Sequence, residues 1–121
     1  MRKIYLVDDQ PVLNKINKRF ISMINGNITV IDFTEPKLAL DSIAADNPDL
    51  VLLDLNMPEI SGWDFLDQLH RAGINTNIII LTSSESQQDK AAASNYPQVK
   101  EYFVKPLGKE DLSGIISRYF Q

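Results

Sequence analysis

The sequence predicts an α/β fold, a parallel sheet with helices on both faces. Two observations predict it. Four short apolar runs, Ile4–Val7, Leu50–Leu53, Ile78–Leu81 and Tyr102–Val104, are bounded by breakers and read as buried strands. Helical patterns alternate with them from end to end, giving five strands and five helices and calling for right-handed crossovers. Each run also stops at reactive polar residues: Asp8-Asp9, Asp54, Thr82 and Lys105-Pro106. Parallel strands share one C-terminal edge, and open α/β sheets bind ligands there.

The elements follow in order. Ile4 to Val7 is the first strand. Pro11 suits a first helical turn. Leu13, Ile16, Phe20 and Ile24 recur at helical spacing, and Asn25-Gly26 closes this helix with a left-handed glycine stop. Ile28 to Phe33 alternates apolar and polar residues, as a half-exposed edge strand does. Thr34-Glu35-Pro36 opens the second helix with a capping hydroxyl, and Asn47-Pro48 ends it after Asp46. The third strand runs into Asp54 and a loop, Leu55 to Gly62. The third helix carries Phe65, Leu66 and Leu69 on one side and stops at Gly73. Ser84-Glu85-Ser86-Gln87 resembles a capping box for an Ala-rich, weakly packed fourth helix. The last helix, from Lys109, carries Leu112, Ile115, Ile116 and Tyr119 at helical spacing.

Composition sets bounds. The 121 residues are enough for one domain and not for two. A net charge of -4 and the absence of a basic patch argue against phosphate-backbone binding. With no cysteine, disulfides, thiolate metal sites and cysteine nucleophiles are excluded, which suits a reducing cytoplasm. No apolar run reaches membrane-spanning length, and no secretory apolar segment opens the chain.

The polar strand ends carry the chemistry. Two like charges about 4 Å apart cost about 4 kcal/mol at an effective dielectric of 20. Asp8, Asp9 and Asp54 at one edge therefore need a cation or a proton. Hard oxygen ligands, few and not caging, suit Mg²⁺, with the backbone carbonyl of Asn56 as the natural further ligand. Asp54, fixed at the end of an apolar strand, can attack phosphorus to give an aspartyl-phosphate. Lys105 can neutralise the phosphoryl oxygens, and Thr82 and nearby backbone N–H groups can donate to them. Each residue alone has a plainer reading as a solvated strand end or helix cap. The full set, each member at the end of its own strand, disfavours that reading. His70 reads as a solvated helix-end residue, and Trp63 as packing or a surface contact. No glycine-rich phosphate loop occurs.

With Val7-Asp8-Asp9, Leu53-Asp54-Leu55-Asn56-Met57-Pro58, Leu81-Thr82-Ser83 and Val104-Lys105-Pro106-Leu107 in view, the whole chain resembles the receiver domain of bacterial two-component response regulators. The resemblance implies a flavodoxin-like doubly wound sheet of order 2-1-3-4-5. It implies Asp54 as phosphoacceptor, Asp8, Asp9, Asp54 and the Asn56 carbonyl as Mg²⁺ ligands, and Thr82 and Lys105 on the phosphoryl group. It further implies a cis Lys105-Pro106 bond and a switch pairing Thr82 with Tyr102. The donor would be a sensor histidine kinase or phosphotransfer protein, and an unknown protein would read the face of the fourth helix, fifth strand and fifth helix. The expectation is one receiver domain over residues 1–121 with no output domain. It would be cytoplasmic, not a conventional enzyme, monomeric when unphosphorylated, and without direct nucleic-acid or membrane contact. The chain departs from the family pattern at Gln10, where a third acid is common, and at Ser61-Gly62, where Asp-Gly is common. The last two helices lack the charged set of the winged-helix regulators' dimer face.

Two other readings compete. A haloacid-dehalogenase-type phosphohydrolase shares the nucleophile, hydroxyl and lysine. It needs an acid two residues after the nucleophile, where Asn56 stands, and a later acidic pair that is absent. A degenerate receiver acting only as a scaffold would not need the intact acidic set.

Overall fold

A computed structural model describes residues 2–83 and 86–120. Its elements are β1 Arg2–Val7, α1 Pro11–Ile24, β2 Ile28–Phe33, α2 Pro36–Asp46, β3 Leu50–Asp54, α3 Gly62–Arg71, β4 Asn77–Thr82, α4 Gln87–Ala93, β5 Val99–Val104 and α5 Lys109–Tyr119. The five strands form one parallel sheet in the order β2-β1-β3-β4-β5. The predicted architecture and strand order both stand.

The strand sequences explain why both faces are covered. Alternate side chains point to opposite faces, and in the central strands both sets are apolar. Ile4, Leu6, Leu50, Leu52, Ile79 and Leu81 face a core closed by Ile21 of α1 and by Leu112, Ile115 and Ile116 of α5. Tyr5, Val7, Val51, Leu53, Ile78 and Ile80 face a second core closed by Ala39 and Ile43 of α2, Phe65, Leu66 and Leu69 of α3, and Ala93 of α4. Burying each such aliphatic side chain stabilises by about 1.5–3 kcal/mol. β2 at the edge is only partly covered.

Several local expectations are corrected. Ile16 is 44 % exposed; the fully buried positions of α1 are Asn14 and Ile21. The covered stripe of the helix therefore runs through Leu13, Asn14, Asn17, Phe20, Ile21 and Ile24, and of the predicted apolar set only Ile16 is turned outward. Gly26 is not a left-handed stop. Asn25 leaves α1 in extended conformation, and its Oδ1 accepts from the Asn27 N–H at 3.0 Å, so no positive φ is needed. α2 is capped at Glu35 without a side-chain hydrogen bond, so Thr34 is not its cap. The Ser86 hydroxyl caps α4, accepting from Gln88 and Asp89 N–H. The capping-box reading at Ser84 and Glu85 lies outside the described residues. Gly73 does take positive φ, +71°, closing α3 as expected.

Register positions the site. Val7 pairs with Leu53, Asp54 with Leu81, and Thr82 with Val104. The residues that end the strands thus emerge at one edge.

Candidate functional site

Asp8 and Asp54 are buried, Asp9 is half-buried, and oxygens from all three lie within 4.8 Å of one another. Burial of Asp54 follows from β3, whose other residues are wholly apolar and buried. Lys105 reaches across from the end of β5. Its Nζ donates to Asp8 Oδ2 at 2.6 Å and lies 3.5 Å from Asp54 Oδ2. The Lys105–Pro106 bond is cis. Burial pushes the Asp54 carboxyl above its ordinary pKa. The Asn56 N–H, which donates to Asp54 Oδ1 at 3.2 Å, and the Lys105 charge pull the other way, and Asp8 adds repulsion.

Thr82 is fully buried at the end of β4, and its Oγ1 accepts from Asn56 Nδ2 at 3.2 Å. Its carbonyl accepts from Lys105 N–H at 2.7 Å, so β4 and β5 stay paired up to the lysine. Tyr102 is half-buried against the α2–α3–α4 core and borders a cleft shared with Ala93 and Ser94.

The loop after Asp54 is held from behind. Gly62 N–H donates to the Leu55 carbonyl at 2.9 Å, and a Cβ at Gly62 would lie 2.6 Å from Leu55 Cα and 2.9 Å from the Asp54 carbonyl oxygen. Position 62 has no room for any side chain. Gly62 opens α3 behind the Ser61 cap, whose Oγ accepts from Asp64 N–H. The next residue, Trp63, stacks on Tyr96 with ring centroids 5.8 Å apart, and Tyr96 Oη donates to Asp67 Oδ1 at 2.7 Å. His70 is exposed in the last turn of α3.

Sequence reasoning missed three supports of this edge. Asn14, 1 % exposed, donates through Nδ2 to the carbonyls of Asp8 and Phe33. Its signal was the spacing Asn14–Asn17–Ile21, a core stripe read through polar letters. The closeness of Gly62 to the Asp54–Leu55 backbone, and the partnership of Tyr96 with Trp63, had no sequence signal.

Chemically, the arrangement joins three carboxylates, a lysine and a buried hydroxyl. Three hard carboxylates with one facing ammonium carry an excess of negative charge. That donor set fits Mg²⁺ and fits no soft metal.

Comparison with known proteins gives a consistent result. The response regulator receiver domain model matches residues 4–117. The nitrate/nitrite response regulator protein NarL of Escherichia coli K12 is 31 % identical over 109 residues, 90 % of this chain and 50 % of NarL. The receiver domain of the Francisella response regulator 1452 superposes with a TM-score of 0.87 at 26 % identity, covering 98 % of this chain and 96 % of that one. The Thermotoga maritima response regulator TrrA, solved in complex with Mg(2+)-BeF, has a TM-score of 0.81 at 24 % identity, covering 99 % of this chain and all of that one. The chain spans about half the length of the curated relatives it matches.

Proposed function

We propose that this chain, which belongs to the response regulator receiver domain family, accepts a phosphoryl group on Asp54 and passes the event to the surface formed by α4, β5 and α5. Receiver domains of two-component response regulators are phosphorylation-dependent signalling modules, and the proposal concerns which residues of this chain do the work. The observation that carries it is the Lys105 ammonium seated between Asp8 and Asp54, with Asp9 in the same 4.8 Å cluster.

In the reaction, an Asp54 carboxylate oxygen forms a bond to phosphorus as the bond from phosphorus to the donor breaks. With a phosphohistidine donor, from a sensor kinase or phosphotransfer protein, the leaving nitrogen takes up a proton. Asp8, Asp9, Asp54 and the Asn56 carbonyl would hold Mg²⁺, which supplies neutralisation of the phosphoryl charge when bound. Lys105 turns from Asp8 toward the incoming oxygens. Thr82 exchanges the Asn56 amide for a phosphoryl oxygen. That movement empties space beside Tyr102, which turns inward. The added charge of about -1.5 to -2 biases two packings of β4–α4–β5. The module has no need of bound substrate beyond its donor, so it is a switch and not a conventional enzyme. It is expected in the cytoplasm, monomeric when unphosphorylated, with a protein contact as its output and without direct nucleic-acid or membrane contact. Among the described residues no helix is long and apolar enough to cross a membrane.

The apolar groove beside Lys105, about 290 Å³ and lined by Leu13, Ile16, Phe20, Pro106 and Leu107, supports docking of the donor here. One of its lining residues, Ile16, is an exposed apolar side chain, and Lys105, which pairs with Asp8, lines the same groove.

The test is addition of Mg²⁺ with beryllium fluoride, read by Trp63 fluorescence, with acetyl phosphate labelling in parallel. A saturable response and an acid-stable, base-labile label lost in Asp54→Asn are expected. A silent Trp63 together with an unlabelled Asp54 would favour a scaffold instead.

A further inference from the structure

Asn14 is a polar side chain in the core-facing stripe of α1, and its amide is spent entirely on backbone. Nδ2 donates to the Asp8 carbonyl at 2.9 Å and to the Phe33 carbonyl at 3.3 Å. The Phe33 carbonyl also accepts from Asp8 N–H at 3.1 Å. One amide thus ties the ends of β1 and β2 together from the helix side. The Asp8 carbonyl belongs to the peptide that joins Asp8 to Asp9. That peptide sets the direction in which the chain carries the second carboxylate.

The remaining contacts of Asp8 leave it little freedom. Oδ1 accepts from Gln10 N–H at 2.9 Å and Oδ2 from Lys105 at 2.6 Å. Asp9 follows the tethered peptide directly, and its half-buried carboxylate is aimed by that peptide. Beneath the cluster a cavity of about 10 Å³, lined by Asp8, Asn14, Asn17 and Asp54 among others, leaves room for no more than one water. The turn has no slack on that side into which to relax.

We propose that Asn14 is a positioning residue for the metal-binding edge: it fixes the Asp8–Asp9 peptide so that the carboxylates of Asp8, Asp9 and Asp54 stay within ligand distance of one cation. The inference rests on the receiver reading of the acidic cluster. A leucine at position 14 would fill the core but take from the Asp8 carbonyl its tie to α1 and leave the Phe33 carbonyl with the Asp8 N–H alone, and the peptide would be free to turn. Groups that orient a ligand from outside typically account for about 10- to 100-fold in metal affinity. The low end applies here, because Asn14 holds the backbone of the ligands and not a ligand atom.

The experiment measures the Mg²⁺ dissociation constant from the backbone amide shifts of residues 8 and 9, alongside thermal stability in EDTA. It uses the wild type, Asn14→Leu, and Ile21→Val, a variant of the same helix at a fully buried site remote from the acids. Asn14→Leu is expected to weaken Mg²⁺ binding about tenfold, with labelling by acetyl phosphate recovering at saturating Mg²⁺. Ile21→Val is expected to lose stability with Mg²⁺ affinity unchanged. Should Asn14→Leu fail to fold, Asn14→Ser, whose hydroxyl is too short to bridge both carbonyls, gives the same readout. An Asn14 variant that loses stability but keeps wild-type Mg²⁺ affinity would reduce Asn14 to a core polar group and overturn the proposal. Failure of the wild type itself to bind Mg²⁺ would instead overturn the receiver reading of the cluster, and this proposal with it.

Discussion

Removing one charge from the acidic cluster should make the protein more stable in the absence of metal. Asp54→Asn keeps the shape of the side chain and an oxygen for the Asn56 N–H. Lys105, 3.5 Å away, attracts the Asp54 charge by about 4.7 kcal/mol at an effective dielectric of 20. Asp8 and Asp9, with oxygens within 4.8 Å, repel it by about 3.5 kcal/mol each at the same dielectric. The hydrogen bonds from Asn56 and Lys105 offset the surplus of repulsion, and the desolvation cost of a carboxylate buried at the end of β3, the largest influence on Asp54, leaves its charge a net burden of about 2 kcal/mol. Asp54→Asn is therefore expected to gain about 2 kcal/mol in EDTA at pH 7, or about 8 °C in Tm for a domain of this size. Urea unfolding read by Trp63 fluorescence and circular dichroism measures it. The pH dependence carries its own sign. The folded pKa of Asp54 is raised above 3.8, so protonation favours the fold: this contribution is fully present below 3.8 and is lost as pH rises through the raised value. The advantage of the asparagine variant must shrink as pH falls through that window, because wild-type Asp54 then becomes neutral too. Adding Mg²⁺ must also narrow the gap, since the wild type has one more ligand to gain from it. An Asp54→Asn protein less stable than wild type in EDTA, or a gap indifferent to pH, would refute the charge balance.

Packing and burial set four further outcomes. Gly62→Ala places a methyl against backbone atoms of Asp54 and Leu55 that have nowhere to go, so it should cost about 1–3 kcal/mol in urea unfolding and slow acetyl phosphate labelling. Gln98 is buried with an Nε2 that has no partner among the described residues, so Gln98→Met should be neutral or stabilising, checked by Tm; a loss above about 1 kcal/mol would mean that the amide is satisfied in solution. Tyr96→Phe removes the hydrogen bond to Asp67 and should cost about 1 kcal/mol while leaving the Trp63 stack in place, a combination read by unfolding and by Trp63 emission. The Tyr96 hydroxyl, pushed up to about 12 by burial and by Asp67, should not ionise below pH 10 in an absorbance titration.

What the sequence determined by itself is the alternation of strands and helices and the polar residue that ends each central strand. Those signals are local: apolar runs of three or four residues, breakers beside them, and a lysine before a proline. Apolar letters place Leu13, Phe20 and Ile24 of α1 on its covered side but not the polar member of that stripe. α1 turns Ile16 outward and Asn14 inward, where the Asn14 amide supplies a donor to the Asp8 carbonyl at the strand end. The Asn25-Gly26 pair predicts a left-handed stop, yet a side-chain oxygen from Asn25 does the turning there.

Tertiary structure alone decided the pairings. Lys105 takes Asp8 more closely than Asp54, although 97 residues separate the two in sequence. The Asn56 amide holds Thr82, Gly62 backs the loop behind Asp54, and Trp63 finds Tyr96 on the far connection. No period or motif encodes these contacts, because each depends on the register of strands that meet only once the sheet has closed. The chain's own letters name the charges at the edge; the folded sheet sets the distances between them.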